Sequence, residues 1–266
     1  MKLFAVAVLA GAAYGATYEA HKKRHTAETR FMNYVAKFAK NIRDSDEYGE
    51  RLMNFKRNDA FIAIFNATEQ HYQVGYSAMT DMDDDDFENV LGALDTLPDA
   101  KHLTTALADI KSDLWKSVSV DWRNHGVLTE VHEQGQSCAS GWAFAASDAA
   151  AASYAQEHGE LLDFSAQELI DCTMNLKVKN LGCKSGSVVN VLEQWYMKRH
   201  YMTLARDYDY TGEKGKCQYD AMKTTGVYVD NYVHLAPDNK YQMKNWLSTQ
   251  PLIVSFNAKH LGFKNY

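Results

Sequence analysis

The chain has 266 residues, a net charge of −6, and 46% hydrophobic against 23% charged residues. That length supports one large domain or two smaller ones, and the composition excludes a wholly disordered or collagen-like chain. An acidic balance without a Lys/Arg-rich run excludes the basic face of a nucleic-acid binder, so no nucleic-acid partner is expected.

Met1-Lys2 is a short positive start, Leu3 to Ala13 is apolar and uncharged, and Ala13-Tyr14-Gly15 supplies small residues. This pattern predicts a cleaved secretory signal over 1–16, too short to span a bilayer. The expected location is the secretory pathway, with the product secreted or held in a lysosomal or endosomal lumen and no membrane anchor. Residues 17 to about 100 read as helical and charged. Phe31, Tyr34, Val35, Phe38 and Ile42 recur at helical spacing between Glu28 and Arg43. A second helix is predicted from about Ser45 to Gln70, with Leu52, Phe55, Ile62 and Phe65 on its inner face. Asp83 to Asp86 reads as a solvated loop or helix start, lacking the spaced ligands and glycine turn of a calcium loop. Residues 95–117 are weakly patterned and read as a linker.

The texture changes at Val118. Asp121-Trp122-Arg123 opens a loop-rich stretch, then an alanine-rich helix is predicted from Trp142 to His158 with Gly159 as its stop. Ser165-Ala166-Gln167-Glu168 is a capping box for a short helix to Cys172, and Ser187 to Arg199 again looks helical. Thr225 to Leu235 and Leu252 to Phe256 are predicted strands. Helices first and strands later indicate an α+β arrangement. Cys138, Cys172, Cys183 and Cys217 suggest two disulfides in an oxidising compartment, with three connectivities open. His125, His132 and His158 read as exposed loop or helix-end residues; none has metal-ligand spacing, so neither a metal nor a cofactor is expected. Asn66-Ala67-Thr68 is the only glycosylation sequon.

Several blocks together carry a resemblance. Gln134 to Phe144 contains Cys138-Ala139-Ser140-Gly141-Trp142. It resembles the papain-like cysteine peptidase signature Cys-Gly-[Ser/Ala]-Cys-[Trp/Tyr], with Gly141 where the nucleophilic cysteine belongs. Val120-Asp121-Trp122-Arg123 looks like that family's mature N-terminus, and Phe164 to Cys172 is similar to its Leu-Ser-Glu-Gln-Glu-Leu-Val-Asp-Cys block. Gly182-Cys183-Lys184-Ser185-Gly186 resembles its Gly-Cys-x-Gly-Gly turn, and Tyr208-Asp209-Tyr210 its Tyr-Pro-Tyr. In the N-terminal half, Glu47, Arg51, Phe55, Asn58, Ile62 and Asn66 reproduce the propeptide motif of cathepsin-L-like zymogens. Gly75, Ser77, Met79 and Asp81 resemble the Gly-x-Asn-x-Phe-x-Asp motif that follows.

The resemblance implies a papain-like two-lobed α+β fold, a helical lobe plus an incomplete β-barrel lobe, preceded by a helical propeptide. The implied organisation is signal 1–16, propeptide 17–115 and C-terminally truncated peptidase domain 116–266. It also implies bridges Cys138–Cys183 and Cys172–Cys217. In the family a cysteine at the helix start, a histidine, an asparagine and an oxyanion glutamine carry the reaction. Here Gln134 is the remaining oxyanion candidate, flanking Gly135 as though one residue were inserted. The histidine is expected at roughly 271–291, and His260 lacks its sequence context. The expected function is therefore a secretory, monomeric papain-family homologue, inactive as written, with a peptide or protein and its own propeptide as cleft partners. The alternatives are an active cysteine endopeptidase with incomplete sequence, or a propeptide-type inhibitor of related peptidases.

Overall fold

The computed structural model describes residues 26–69, 71–93, 119–175, 180–219, 224–235 and 239–266. The leader over 1–16 and the linker over 95–117 lie outside these residues. The chain divides into two compact units: residues up to Phe87 with Asn257–Tyr266, and Glu88–Phe256.

In the N-terminal unit, helix α1 (26–37) and helix α2 (Ser45–Thr68) pack around Phe31, Tyr34, Leu52 and Phe55. These aromatic and aliphatic side chains sit at helical spacing and bury one stripe of each helix. The predicted first helix ran to Arg43, but α1 ends six residues earlier. Ala39 adopts a left-handed backbone (φ 48°), Lys40 N donates to Val35 O, and Ala39 N to Ala36 O. That is a Schellman stop built without glycine, and Phe38 and Ile42 reach the cluster from the turn instead. Asp44 caps α2, its carboxylate accepting from Asp46 N and Glu47 N at 3.1 and 2.9 Å. Helix α3 (Asp84–Asn89) places the acidic run in its first turn, where the helix dipole favours it. Helix α8 (Leu261–Lys264) completes this unit.

In the second unit, helix α4 (Gly141–His158) buries Ala143, Ala146, Ala150, Ala151, Ala152 and Ala155, small side chains that admit close neighbours. Gly159 ends it in the left-handed region (φ 72°). Helices α5 (Ala166–Cys172) and α6 (Val188–Gln194) pack against α4, while α7 (Lys240–Leu247) lies later in the chain. Ser165 caps α5 through Glu168 N, but the capping box closes only halfway. The Glu168 carboxylate turns inward to Trp195 Nε1 at 2.9 Å and Thr203 N at 3.0 Å, with burial raising its pKa. Disulfides Cys138–Cys183 and Cys172–Cys217 each close a separation of 45 residues, worth about 4 kcal/mol on the chain-entropy account.

The predicted strands do not form ladders. Thr225 and Val227 pair only with Met202, through Thr225 N to Met202 O at 3.0 Å and Met202 N to Val227 O at 2.8 Å. Leu252 to Phe256 has no regular structure, with Val254 and Phe256 exposed. β-branched composition suits a segment to a sheet, but a strand also needs a neighbour running alongside. Among the described residues, pairing is confined to isolated bridges.

Candidate functional site

Gly141 is the first residue of α4 and is solvent-exposed. A Cβ there would stand 3.3 Å from Gln134 Oε1, so Gln134 lies directly beside the helix start. Its backbone is held as well: Tyr210 Oη donates to Gln134 O at 2.7 Å and lies 2.7 Å from Ser140 Oγ. Ser140, at the N-cap position, makes no side-chain cap bond to its own helix. Tyr210 also packs on Phe144, at 4.8 Å between ring centres. Sequence reasoning placed Tyr210 in a matching block but missed this tie, because nothing local links 134, 140 and 210.

Residues 88–93 of the same unit lie along this cleft. Gln134 Nε2 donates to Val90 O at 2.9 Å, and Val90 is 5% exposed. Gly186 N donates to Gly92 O at 2.9 Å, and Ala93 forms a parallel bridge with Gly186. The Gln134 side-chain amide thus donates to a backbone carbonyl of the chain itself.

In the N-terminal unit the motif residues converge on Asp81. Its side chain is fully buried and accepts from Tyr34 Oη at 2.7 Å and Arg51 Nη1 at 2.7 Å, with Lys40 Nζ at 2.9 Å. Burial opposes its ionisation, but the bonds from Lys40, Tyr34 and Arg51 prevail and lower its pKa. Glu47 braces Arg51 at 2.8 Å. Its own pKa falls to about 2, through the Arg43 backbone N–H first and then the Arg43 and Arg51 side chains. Asn58 is fully buried and donates to Thr80 O at 2.7 Å; Phe55 fills the core and Ile62 is half-buried.

Asn257–Tyr266 docks on the same unit. Lys264 is buried and donates to Met82 O at 2.7 Å and Asp83 O at 3.2 Å, with burial lowering its pKa. Asn265 O accepts from Gly75 N at 2.7 Å, and its Oδ1 accepts from Thr80 Oγ1 at 2.8 Å. His260 is exposed and caps α8, accepting from Gly262 N.

Asn66 Nδ2 donates to Val74 O and its Oδ1 accepts from Val74 N, both at 2.8 Å. The amide that would carry a glycan is thus bound within the fold. We expect the sequon to stay unmodified, so glycosidase treatment of material secreted from eukaryotic cells leaves the band unshifted; a shift would show that modification precedes this clamp. His132, expected to be exposed, stacks on Phe144 and lies 3.4 Å from Asp148 and 3.6 Å from Asp163. The loop before α4 folds back on the helix and half-covers it. Among the described residues no group of three His, Cys, Asp or Glu side chains is placed to hold a metal, and no helix is long and apolar enough to cross a membrane.

An alanine-rich helix thus begins at Gly141 beside Gln134 and next to the Cys138–Cys183 bridge, with Val90–Ala93 running past it. Residues 117–266 match the papain family cysteine protease domain, and residues 31–87 match the cathepsin propeptide inhibitor domain. The chain belongs to the papain family of cysteine proteases and carries a cathepsin-type propeptide domain. Cysteine proteinase 5 of Dictyostelium discoideum is 27% identical over 222 residues, covering 84% of this chain and 62% of that protein. Ananain of Ananas comosus is 28% identical over 242 residues, covering 89% and 66%. A recombinant stem bromelain precursor superposes with a TM-score of 0.77 at 26% identity, covering 91% of this chain and 75% of that one. Digestive procathepsin L 3 of Tenebrio molitor larval midgut shares the fold, with a TM-score of 0.68 at 24% identity over 83% and 70% of the two chains. The chain spans 60–68% of the length of the first curated relatives it matches.

Proposed function

We propose that this papain-family chain is a zymogen-type homologue whose cleft holds a peptide without attacking it by the thiol mechanism. The observation that supports this reading is Gly141 at the start of α4, beside Gln134, with all four cysteines committed to disulfides. Thiolate chemistry needs a free cysteine stabilised at the helix N-terminus. Gly141 offers a backbone N–H there and no sulfur. The bond from Gln134 Nε2 to Val90 O supports reading the cleft as one that holds a peptide carbonyl while lacking the nucleophile. The leader pattern and the two disulfides favour the secretory pathway as the site of action.

The test is labelling of the unreduced chain by an electrophilic thiol probe, alongside turnover of a fluorogenic dipeptide. We expect neither, and Gly141→Cys should gain labelling at position 141. Removing one member of a catalytic unit costs orders of magnitude on its own. Probe-sensitive turnover by the unaltered chain would return it to the active endopeptidases. A second reading, inhibition of related peptidases in trans, is favoured by the separate core of the N-terminal unit around Phe31, Tyr34, Leu52 and Phe55.

A further inference from the structure

We propose that His132 is an acid-closed pin: protonated, it holds the loop over 128–134, and with it Gln134, against α4 and the stretch that carries Asp163, and it releases the loop as pH rises. The pin does not depend on whether the cleft attacks the peptide it holds.

Three elements of the second unit meet at this ring. His132 Nε2 lies 3.4 Å from Asp148 Oδ1 on α4 and 3.6 Å from Asp163 Oδ1 in the stretch that follows. Both distances exceed those of a good N–H···O bond, and one N–H cannot serve two carboxylates fully. The attraction therefore rests on the charge of the ring. Imidazole is the side chain that changes charge between pH 5 and 8. Charged, it neutralises two carboxylates that converge on one nitrogen; neutral, it leaves them facing each other. Among the described residues no lysine or arginine pairs with either aspartate. Burial raises the pKa of Asp148, His132 and Thr129 oppose this, and the Asp163 charge raises it further. Of the other titratable groups around the cluster, Tyr196 faces Asp148 and Glu168, and burial keeps its phenol neutral. Glu130 and Glu133 flank His132 on the loop itself, both exposed.

Other contacts hold the loop whatever the charge. The ring stacks on Phe144 at 5.1 Å and 15°, and Thr129 Oγ1 donates to Asp148 Oδ1 at 3.2 Å. Two residues beyond His132, Gln134 O accepts from Tyr210 Oη and Gln134 Nε2 donates to Val90 O. The loop thus has a charge-independent hold at Gln134 and a charge-dependent one at His132, and the second steadies the first.

Nicking of the full chain by a glutamate-specific endopeptidase tests this, because the bonds after Glu130 and Glu133 lie in the loop and are cut when it lifts from the helix. New N-termini at Val131 and Gln134 identify these cuts by mass spectrometry. Rates are taken relative to the unaltered chain at the same pH, so the pH dependence of the endopeptidase cancels. Asp163→Asn should raise loop nicking about threefold to fivefold at pH 5.5, the upper part of the range for partly exposed ion pairs. At pH 8 it should leave the rate unchanged or lower it, since there it removes one of two facing charges. His132→Gln also loses the stacking on Phe144, which acts at both pH values. Its relative rate should still be about threefold to fivefold higher at pH 5.5 than at pH 8. The double variant should be nicked no faster than His132→Gln alone at pH 5.5. Exchange protection of the α4 amides, equal in all chains, shows that the helix is intact. Equal relative rates at the two pH values, or additive effects of the two substitutions, would show that the ring only packs on Phe144 and overturn the pin. Neither result touches thiol-probe labelling, which is read separately.

Discussion

Asp81→Asn is expected to lower the stability of the N-terminal unit by about 3–5 kcal/mol, the range for removing one partner of a buried ion pair. The substitution keeps the shape of the side chain and removes its charge. Lys40, 6% exposed at its side chain, then loses Asp81 as a counter-ion while its bond to Ala78 O remains. Arg51 is 28% exposed and retains Glu47, which holds the effect toward the lower end. Exchange protection of α1 and α2 amides, with α4 as an internal reference, measures it. Equal protection in both chains would show that the cluster contributes nothing net. Acid should act on the same groups. Asp81 and Glu47 have folded pKa values below their ordinary ones, so their contribution is fully present above pH 4.5. It is lost as pH falls, for Glu47 across the interval from 4.5 to about 2. Asp81→Asn should therefore flatten the acid loss of protection as well as lower the plateau.

Much of this was legible in the sequence, where the signals were local. Asp44 and Ser165 announced α2 and α5 by their capping side chains, and Gly159 announced the end of α4. The motif spacing put Arg51, Asn58 and Phe55 on one helix face. Other features depended on partners far along the chain. The stop at Ala39 used no glycine, so nothing marked it. Asp81 was singled out, but its partners Tyr34 and Lys40 belong to no pattern that predicts them. The predicted strands had the right composition, and composition does not supply the neighbour that a ladder requires. The docking of Lys264 and Asn265 against 75–83, and the fit of Gly92 over Ala139, are complementarities between distant segments, visible only once the chain is folded.

Gly186→Ala is expected to destabilise the second unit by about 3 kcal/mol or more, at or above the upper end for overpacking a filled site. Of the two adjacent positions that the family turn reserves for glycine, this chain has Ser185 and keeps Gly186, and the structure gives the reason. A Cβ at Gly186 would lie inside the indole of Trp142, against the fused bond of the ring system. No flexible end is available to swing aside, because Trp142 is 3% exposed and sits in the first turn of α4. Relief would have to come from moving α4 or the turn, and the turn is tied to residue 138 by Cys183. Either movement also carries Gly186 N away from Gly92 O, so residues 88–93 should loosen together with the helix start. Ser185→Gly is the control, since it removes no contact of that kind and should cost about 0.5–1 kcal/mol through backbone entropy alone. Urea unfolding followed by tryptophan fluorescence, combined with exchange at the first turn of α4, separates the two. A Gly186→Ala chain that unfolds at the same urea concentration as the unaltered one would mean that Trp142 yields, and that the helix start beside Gly141 is not a rigid platform.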